Sequence, residues 1–267
     1  MQENDFDLVL YKTLTALHIG KTQSSYEVDC PIIREEHTKY PLIPSSTFKG
    51  ILRKENNSLN EKEIYGDKTG NSIGKMIITD GELLIFPVRS FKNRYFFITC
   101  PYILDRFLEE YKIFVKEETI KTSNSIYKEE EIEIESMKVK TIIPNKIHEI
   151  TLDFIKKNLC NIDVGQAVKL NEIKIVDNAT FKFFVTMCTE KRTRIRINEK
   201  GMVEDGALFT EEYVPINSVF YNFINRYGTT KKKVIDKIIQ IGGNKSLGCG
   251  FLQVDIRGGE KDGRRYK

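Results

Sequence analysis

Asp29 is a carboxylate near the start of a segment that contains three prolines and leads into a group of cations. The segment, residues 28–50, reads VDCPIIREEHTKYPLIPSSTFKG. Because the residue before a proline is pushed out of the helical region, Pro31, Pro41 and Pro44 predict an extended, stiff backbone. A carboxylate held on such a backbone can act as a general base or hold a metal ion. Spacing alone does not distinguish this role from that of an ordinary surface acid.

Basic and hydroxyl side chains mark the start of the helix that is predicted next. In SSTFKGILR, from residue 45, the hydroxyl residues can cap a helix and the apolar residues recur at i, i+3 and i+4. Lys49 and Arg53 then lie one turn apart on another face, close to Ser46 and Thr47. Two cations near a helix N-terminus can hold a phosphate. An ordinary solvated helix face explains the same pattern.

Three arginines alternate along the stretch KRTRIRIN. On a strand, Arg192, Arg194 and Arg196 share one face because side chains alternate with a period of two. Their steps of about 6.6 Å match the scale of successive phosphates along a nucleic-acid backbone. An edge strand protected by charge is an equally good interpretation.

A glycine-rich loop, GGNKSLGCG, occupies residues 242–250. Glycines let a backbone approach a ligand closely, and the amides of such a loop can bind an anion. The loop is not a Walker A motif, because Cys249 and Gly250 stand where Lys and Ser or Thr are required. A plain turn between a helix and the last strand fits the pattern equally well.

Other polar residues are candidates for supporting roles. His18 is a possible acid or base at the end of the first predicted strand, where a structural histidine would also lie. Asp67 and Asp80 are candidates for a second metal ligand. The five cysteines are scattered and never form a CxxC pair, which argues against a zinc site and a disulfide framework.

The elements that must position these residues are a mixture of strands and helices. Alternation and β-branched or aromatic content predict strands at 6–17, 79–90, 94–99 and 181–187, and a hairpin around EEEIEIESMKVK. Helical spacing predicts helices from residue 45 and at 103–114, 217–227 and 231–241. The predicted fold class is α+β.

Bulk composition limits the function only weakly. The 267 residues include 42 Lys and Arg against 38 Asp and Glu, a net charge of +4. This excess is mild, so the distribution of charge must support any nucleic-acid partner. An acidic N-terminal stretch and the lack of an apolar run of about 20 residues predict a cytoplasmic protein without a membrane partner.

Several motifs occur together in a recognisable order. They are LHIG, VDCPIIREEHTKYPLIPSSTFKGILR, ELLIFPVRS with FFITCP, GALFTEEYVP and GGNKSLGCG. In this combination the chain resembles the backbone subunits of the Cmr complex, the type III-B CRISPR effector, within the RAMP superfamily. The resemblance covers about residues 8–110 and 180–255, whereas 111–176 reads as a variable insertion.

The resemblance implies a single domain, 1–267, with a modified ferredoxin-like (RRM-type) core and a thumb-like β-hairpin at about 188–212. It implies that several copies stack along a CRISPR guide RNA, with other effector subunits, and cut complementary single-stranded target RNA at regular intervals. Asp29 would be the catalytic residue and would hold a divalent metal, Mg²⁺ or Mn²⁺; His18 is added as possible support from its residue type. The resemblance implies RNA contacts by Lys49, Arg53 and the glycine-rich loop, and the residue patterns extend the predicted RNA-binding set. That set is Ser46, Thr47, Lys49, Arg53, Arg192, Arg194, Arg196, Gly242, Gly243, Asn244, Lys245, Ser246 and Gly248.

Two departures and three alternatives accompany this resemblance. Ser45 replaces the glycine usual in the family before the basic helix, and residues 21–23 replace a small or glycine-rich stretch. The chain could instead be a non-catalytic RNA-binding scaffold, the equivalent subunit of the type III-A (Csm) complex, or a nuclease that processes the CRISPR precursor. Loss of target cleavage in Asp29→Ala with RNA binding retained would separate the first of these from the leading hypothesis.

Overall fold

The computed structural model describes residues 6–20, 28–55, 61–67, 72–91, 94–115, 128–159, 173–195, 198–202, 208–225 and 238–257. The strands are β1 (Phe6–Thr13), β2 (Leu42–Ile43), β3 (Gly81–Ser90), β4 (Arg94–Thr99), β5 (Glu131–Ile134), β6 (Met137–Lys140), β7 (Ile173–Ile175), β8 (Glu190–Arg194), β9 (Phe209–Tyr213), β10 (Val219–Asn225), β11 (Ile238–Gln240) and β12 (Phe251–Arg257). The helices are α1 (Ser45–Glu55), α2 (Glu61–Tyr65), α3 (Pro101–Val115), α4 (Lys146–Leu159) and α5 (Asn178–Met187).

Most of these strands form one central sheet. Its order is β11-β12-β1-β10-β3-β4-β7, with β2 added to β3. The pairs are antiparallel except for β4 and β7, which run parallel. Nearly every residue of β1 and β10 is buried, so both faces of the sheet are covered at its centre. The predicted α+β class is confirmed.

Helices cover this sheet through aromatic contacts. On α3, the Phe107 ring lies 4.9 Å from that of Tyr221 in β10, between ring centroids. The Phe48 ring of α1 stacks on Tyr11 of β1 at 4.6 Å. Because these rings are fully or almost fully buried, they provide much of the apolar area that stabilises the fold. In the described part of the chain, no helix has the length and apolar composition needed to cross a bilayer.

The described part of residues 111–176 is built into the body of the protein. β7 extends the central sheet beyond β4, and α4 packs on α3, where the Tyr111 and Phe154 rings lie 5.0 Å apart. The predicted hairpin is formed by β5 and β6. Its turn residue Glu135 accepts a 2.6 Å ion-pair contact from Arg89 of β3, which ties the hairpin to the sheet.

Three predictions of secondary structure are wrong. Residues 181–187 lie in α5, because the Asp177 side chain caps its start by accepting a 2.9 Å hydrogen bond from Thr180 N. The aromatic residues of this stretch bury one helical face instead of one face of a strand. Most of 217–227 forms β10, and the described end of 231–241 forms β11. The preceding residues 231–237 lie outside the described part.

Candidate nucleic-acid interface

β9 has different neighbours along its two edges. One edge pairs with β8 in antiparallel register. Along the other edge, Cys30 forms backbone hydrogen bonds of 3.0 Å with both Thr210 and Glu212. Just beyond the strand, Leu17 and Val214 exchange bonds of 3.0 and 2.8 Å. β9 therefore brings together three segments that are far apart in the sequence.

Asp29 lies where its segment meets β9. Its Oδ2 atom accepts a 2.7 Å hydrogen bond from Thr210 N, and the side chain is exposed. The backbone that follows is fixed by further bonds, among them Ile33 N to Ile19 O at 2.8 Å. No described residue donates a hydrogen bond to Oδ1. The bond to Oδ2 thus orients an exposed carboxylate.

His18 contacts the same edge of β9. Its Nδ1 atom lies 2.7 Å from the carbonyl oxygen of Glu212. Since a carbonyl can only accept, Nδ1 carries a hydrogen in this contact. The partners of His18 and Asp29 are two residues apart on one strand, a separation of about 7 Å. The ring itself is largely buried.

Glu212 is the buried hub of this arrangement. Its carboxylate accepts hydrogen bonds from Ile32 N at 3.0 Å, Thr189 Oγ1 at 2.7 Å and Arg34 Nη2 at 2.5 Å. Burial by itself would raise the pKa of Glu212, but the charge of Arg34 and the three donors outweigh it and lower the pKa below its ordinary value. The carboxylate is therefore ionised and fully engaged.

The two described arginines of β8 contact their own protein. Arg194 Nε lies 2.7 Å from Glu211 Oε2, and Arg194 Nη2 donates a 2.7 Å hydrogen bond to the Tyr213 hydroxyl. The Arg192 guanidinium lies over the Tyr213 ring, 4.5 Å from its centroid. Burial, with the hydrogen bond to Glu211, raises the pKa of Tyr213 to about 12. These contacts weaken the prediction that both arginines grip phosphates; Arg196 lies outside the described residues.

The glycine-rich loop closes over His18 and joins the arginine cluster. Gly243 N donates a 2.8 Å hydrogen bond to His18 O. Asn244 Nδ2 donates to the Tyr213 hydroxyl at 2.8 Å and to both carboxylate oxygens of Glu211 at 3.2 Å. The sequence predicted the loop and His18 as separate candidates, and the structure brings them into contact.

The outer part of this loop remains open to solvent. It consists of the predicted residues Gly243, Lys245, Ser246 and Gly248, which are all exposed, whereas Gly242 is partly buried. No described residue forms an ion pair with Lys245. The loop therefore presents a cation and exposed backbone beside His18.

α1 also presents lysine side chains that are available for phosphate, among them Lys49. Lys49 is partly exposed and has no ion-pair partner among the described residues, and Ser46 and Thr47 lie near it at the helix start. Arg53, in contrast, donates from Nη2 to the carbonyl oxygens of Tyr65 at 2.7 Å and Gly66 at 2.9 Å. These bonds hold α1 to the end of α2, so they do not support a phosphate contact by Arg53.

The acids that were considered as metal ligands are dispersed. Asp80 Oδ1 accepts a 2.7 Å hydrogen bond from Ser45 N and so binds the start of α1. Within the described ranges, no three His, Cys, Asp or Glu side chains converge as a metal cage would require. The exposed carboxylate of Asp29 fits an ion that takes its other ligands from water and substrate phosphates.

Sequence reasoning missed the residues of β9 itself. The contacts that hold the site together are made by Glu211, Glu212 and Tyr213. These residues belong to the motif GALFTEEYVP, which supports the resemblance but carries no predicted site residue. Two adjacent acids on a short strand read as a solvated face. In the structure both are buried, because the two edges of β9 are covered by different segments.

The fold and site have counterparts among known proteins. The chain belongs to the RAMP superfamily, whose family profile matches residues 10–253. It is 31% identical to the CRISPR system Cmr endoribonuclease Cmr4 of Pyrococcus furiosus, over 94% of this chain and 95% of that protein. The resemblance to Cmr backbone subunits is confirmed.

Solved structures agree with this assignment. The crystal structure of oligomeric Cmr4 from Pyrococcus furiosus matches 96% of this chain and 99% of its own, with a TM-score of 0.69 and 25% identity. The cryo-EM structure of the type III-B Cmr-beta complex bound to cognate target RNA contains a chain with a TM-score of 0.69. That match is 17% identical, covers 94% of this chain and 96% of the other, and shows the shared fold alone.

Proposed function

We propose that this chain is a multi-copy backbone subunit of a type III-B CRISPR effector that binds guide RNA and cleaves target RNA. The observation that carries the proposal is the placement of Asp29 and His18 along one edge of β9, with the glycine-rich loop against His18. The similar Pyrococcus furiosus protein is named an endoribonuclease of the Cmr system, which supports this over a Csm subunit or a precursor-processing enzyme.

Cleavage of RNA by its own 2′-hydroxyl needs a base, an in-line geometry and stabilisation of the phosphate charge. In the proposed reaction, the exposed carboxylate of Asp29 accepts the 2′-hydroxyl proton. The 2′-oxygen then bonds to phosphorus, and the 5′-oxygen leaves and takes a proton from solvent. His18 is oriented by the bond from its Nδ1 atom to Glu212 O, which suits a supporting role.

A divalent metal, Mg²⁺ or Mn²⁺, offers an alternative role for Asp29. The carboxylate would then hold the ion instead of acting as the base, and the ion would supply charge neutralisation at the phosphate and a bound water of lowered pKa. The side-chain ammonium groups of Lys245 and Lys49 have no ion-pair partner among the described residues and are the favoured phosphate contacts.

The finer architecture belongs to the same proposal. The central sheet is a modified ferredoxin-like core within a single domain, and the β8–β9 pair forms the base of a thumb-like hairpin that includes residues between them. Copies of the chain stack along the guide RNA with other effector subunits in the cytoplasm. The similarity of this chain to Cmr4, which was crystallised as an oligomer, supports this assembly. A chain of the RNA-bound Cmr-beta complex shares the fold.

The test is target cleavage by a reconstituted complex that carries Asp29→Asn. Asparagine keeps an oxygen that can accept from Thr210 N and removes the charge, so folding and RNA binding should persist. Cleavage should fall by about 10²- to 10⁴-fold, the usual contribution of a positioned acid or base. The matched control is Glu36→Gln, an exposed acid of the same segment that pairs with Lys39 at 2.9 Å. Undiminished cleavage in Asp29→Asn would make the chain a scaffold.

A further inference from the structure

Glu212 is a buried acid that takes no part in the proposed chemistry, yet it contacts each segment that holds the site. Its carboxylate binds Ile32 N, three residues after Asp29, at 3.0 Å. Its own carbonyl oxygen receives the hydrogen of His18 Nδ1 at 2.7 Å, and its own amide donates to Cys30 O at 3.0 Å. The side chain is 8% exposed, which keeps it out of reach of a nucleic acid.

We propose that Glu212 is a positioning residue for RNA cleavage, which sets the places of Asp29 and His18 relative to each other without touching RNA. This inference rests on the proposed function. One residue fixes both groups: its side chain holds the Asp29 segment and its backbone holds the imidazole. A shift of the Glu212 backbone therefore moves Asp29 and His18 together with β9. Loss of the side-chain bonds of Glu212 instead lets the Asp29 segment move relative to His18.

The ionised carboxylate is needed because its three donors approach both of its oxygens. Oε2 faces Ile32 N, and Oε1 faces Arg34 and Thr189. The side chain of a glutamine has one oxygen and one NH₂ group. The NH₂ group would have to face either Ile32 N or the Arg34 guanidinium, and both of these are donors that it cannot accept from. The bond that is lost leaves a buried donor unsatisfied, which drives the surrounding backbone to shift.

Arg34 strengthens the case that this is a junction and not an isolated pair. Its Nη1 atom donates to Lys39 O at 2.8 Å, within its own segment, while Nη2 reaches Glu212. The side chain is 15% exposed. Thr189 adds the end of α5 to the same carboxylate. The segment that carries Ile32 and Arg34, the residue after α5 and β9 thus meet at one charge.

The experiment measures single-turnover cleavage by the reconstituted complex with Glu212→Gln. The rate at saturating target should fall by about 10- to 100-fold, the effect expected when a reacting group is misplaced by about 1 Å. The Kd for target RNA should stay within about twofold of the wild-type value, because Glu212 makes no RNA contact. A parallel loss of binding and rate, or an unchanged rate, would overturn the proposal.

A spectroscopic measurement separates positioning from general damage. The full chain has three histidines, His18, His37 and His148, so the ring resonances are few enough to assign by substitution. In Glu212→Gln the His18 ring signals should shift, while those of His148, which is paired with Asp105 at 2.8 Å, should not. Equal shifts of both rings, or of neither, would contradict a local effect.

Two further variants keep the outcome interpretable. Thr189→Val removes one of the three hydrogen bonds and keeps the ion pair, so it should lower the rate by roughly three- to tenfold even if Glu212→Gln does not fold. A wild-type rate in folded Thr189→Val then counts against the proposal. Asp29→Asn, measured beside them, tests the proposed function itself: if it still cleaves, that function fails, whereas an inactive Asp29→Asn with active Glu212→Gln refutes only the positioning role.

Discussion

Replacement of Gly242 by alanine should damage both stability and the site, and the structure sets the size of the effect. Gly242 has φ of +80°, and a Cβ there would lie 2.3 Å from the carbonyl oxygen of His18. The left-handed backbone costs alanine about 1–2 kcal/mol. Moving the carbonyl away loses the bond from Gly243 N, about 1 kcal/mol, and adds about 1–3 kcal/mol of repacking.

Gly248 provides a matched control in the same loop. Its φ is +78°, but a Cβ there would meet nothing within 4 Å. Gly248→Ala therefore has the cost of the left-handed backbone without the steric clash. The free energy of unfolding of Gly242→Ala should be about 2–4 kcal/mol lower than that of Gly248→Ala. Urea unfolding of the two full-length variants measures the difference, provided that their m values agree.

Cleavage should respond in the same order. Because the displaced carbonyl belongs to His18, the single-turnover rate of Gly242→Ala should fall, whereas that of Gly248→Ala should fall less. Equal stability of the two alanine variants would refute the reasoning, since it would mean that the close approach of the loop to His18 contributes nothing.

Two other predictions concern charge. Lys49→Ala and Lys245→Ala should each reduce the steepness of the plot of log K for RNA binding against log salt by about 0.7. Arg53→Ala should leave that slope unchanged and lower the free energy of unfolding, because the Arg53 guanidinium donates to carbonyl oxygens of the protein. Filter binding at several salt concentrations measures the slope of each variant, and a shallower slope for Arg53→Ala would contradict this assignment. The lowered pKa of Glu212 means that its contribution to stability is complete above its ordinary value of 4.5 and is lost as the pH falls through the lower, folded value. Arg34→Ala should therefore destabilise the protein most at pH 7 and progressively less below pH 4.5, in urea unfolding at each pH; a constant difference would contradict the assignment.

Local patterns predicted the elements whose formation depends on local interactions. α1 begins at the hydroxyl residues of SSTF, and β3 and β4 follow their alternation and short turn. The stretches FKFFVTM and VFYNFIN were assigned wrongly, because both are apolar runs that suit a strand or a buried helix equally well. The Asp177 cap decided the first, and pairing of β10 with β1 and β3 decided the second.

The residues of the site likewise divide into those that local patterns predict and those that depend on distant contacts. Asp29 and the glycine-rich loop could be selected from the sequence, because prolines, glycines and the resemblance mark them. The role of Glu212 could not, because it depends on bonds to Ile32 and His18, about 180 and 194 residues away in the chain. The arginines of β8 were correctly placed on one face, but their partners Glu211 and Tyr213 come from a strand whose pairing no local pattern predicts.

The position of β1 has a consequence for how the protein is made. β1 lies between β10 and β12, so its two hydrogen-bonding partners are residues 219–225 and 251–257. At translation speeds of about 5–20 residues per second, the first described strand waits on the order of 10–50 s for its neighbours to leave the ribosome. During that interval both of its edges are open to pairing with other chains. Folding of this subunit is therefore a late event in its synthesis, and chaperones have a defined window in which to act.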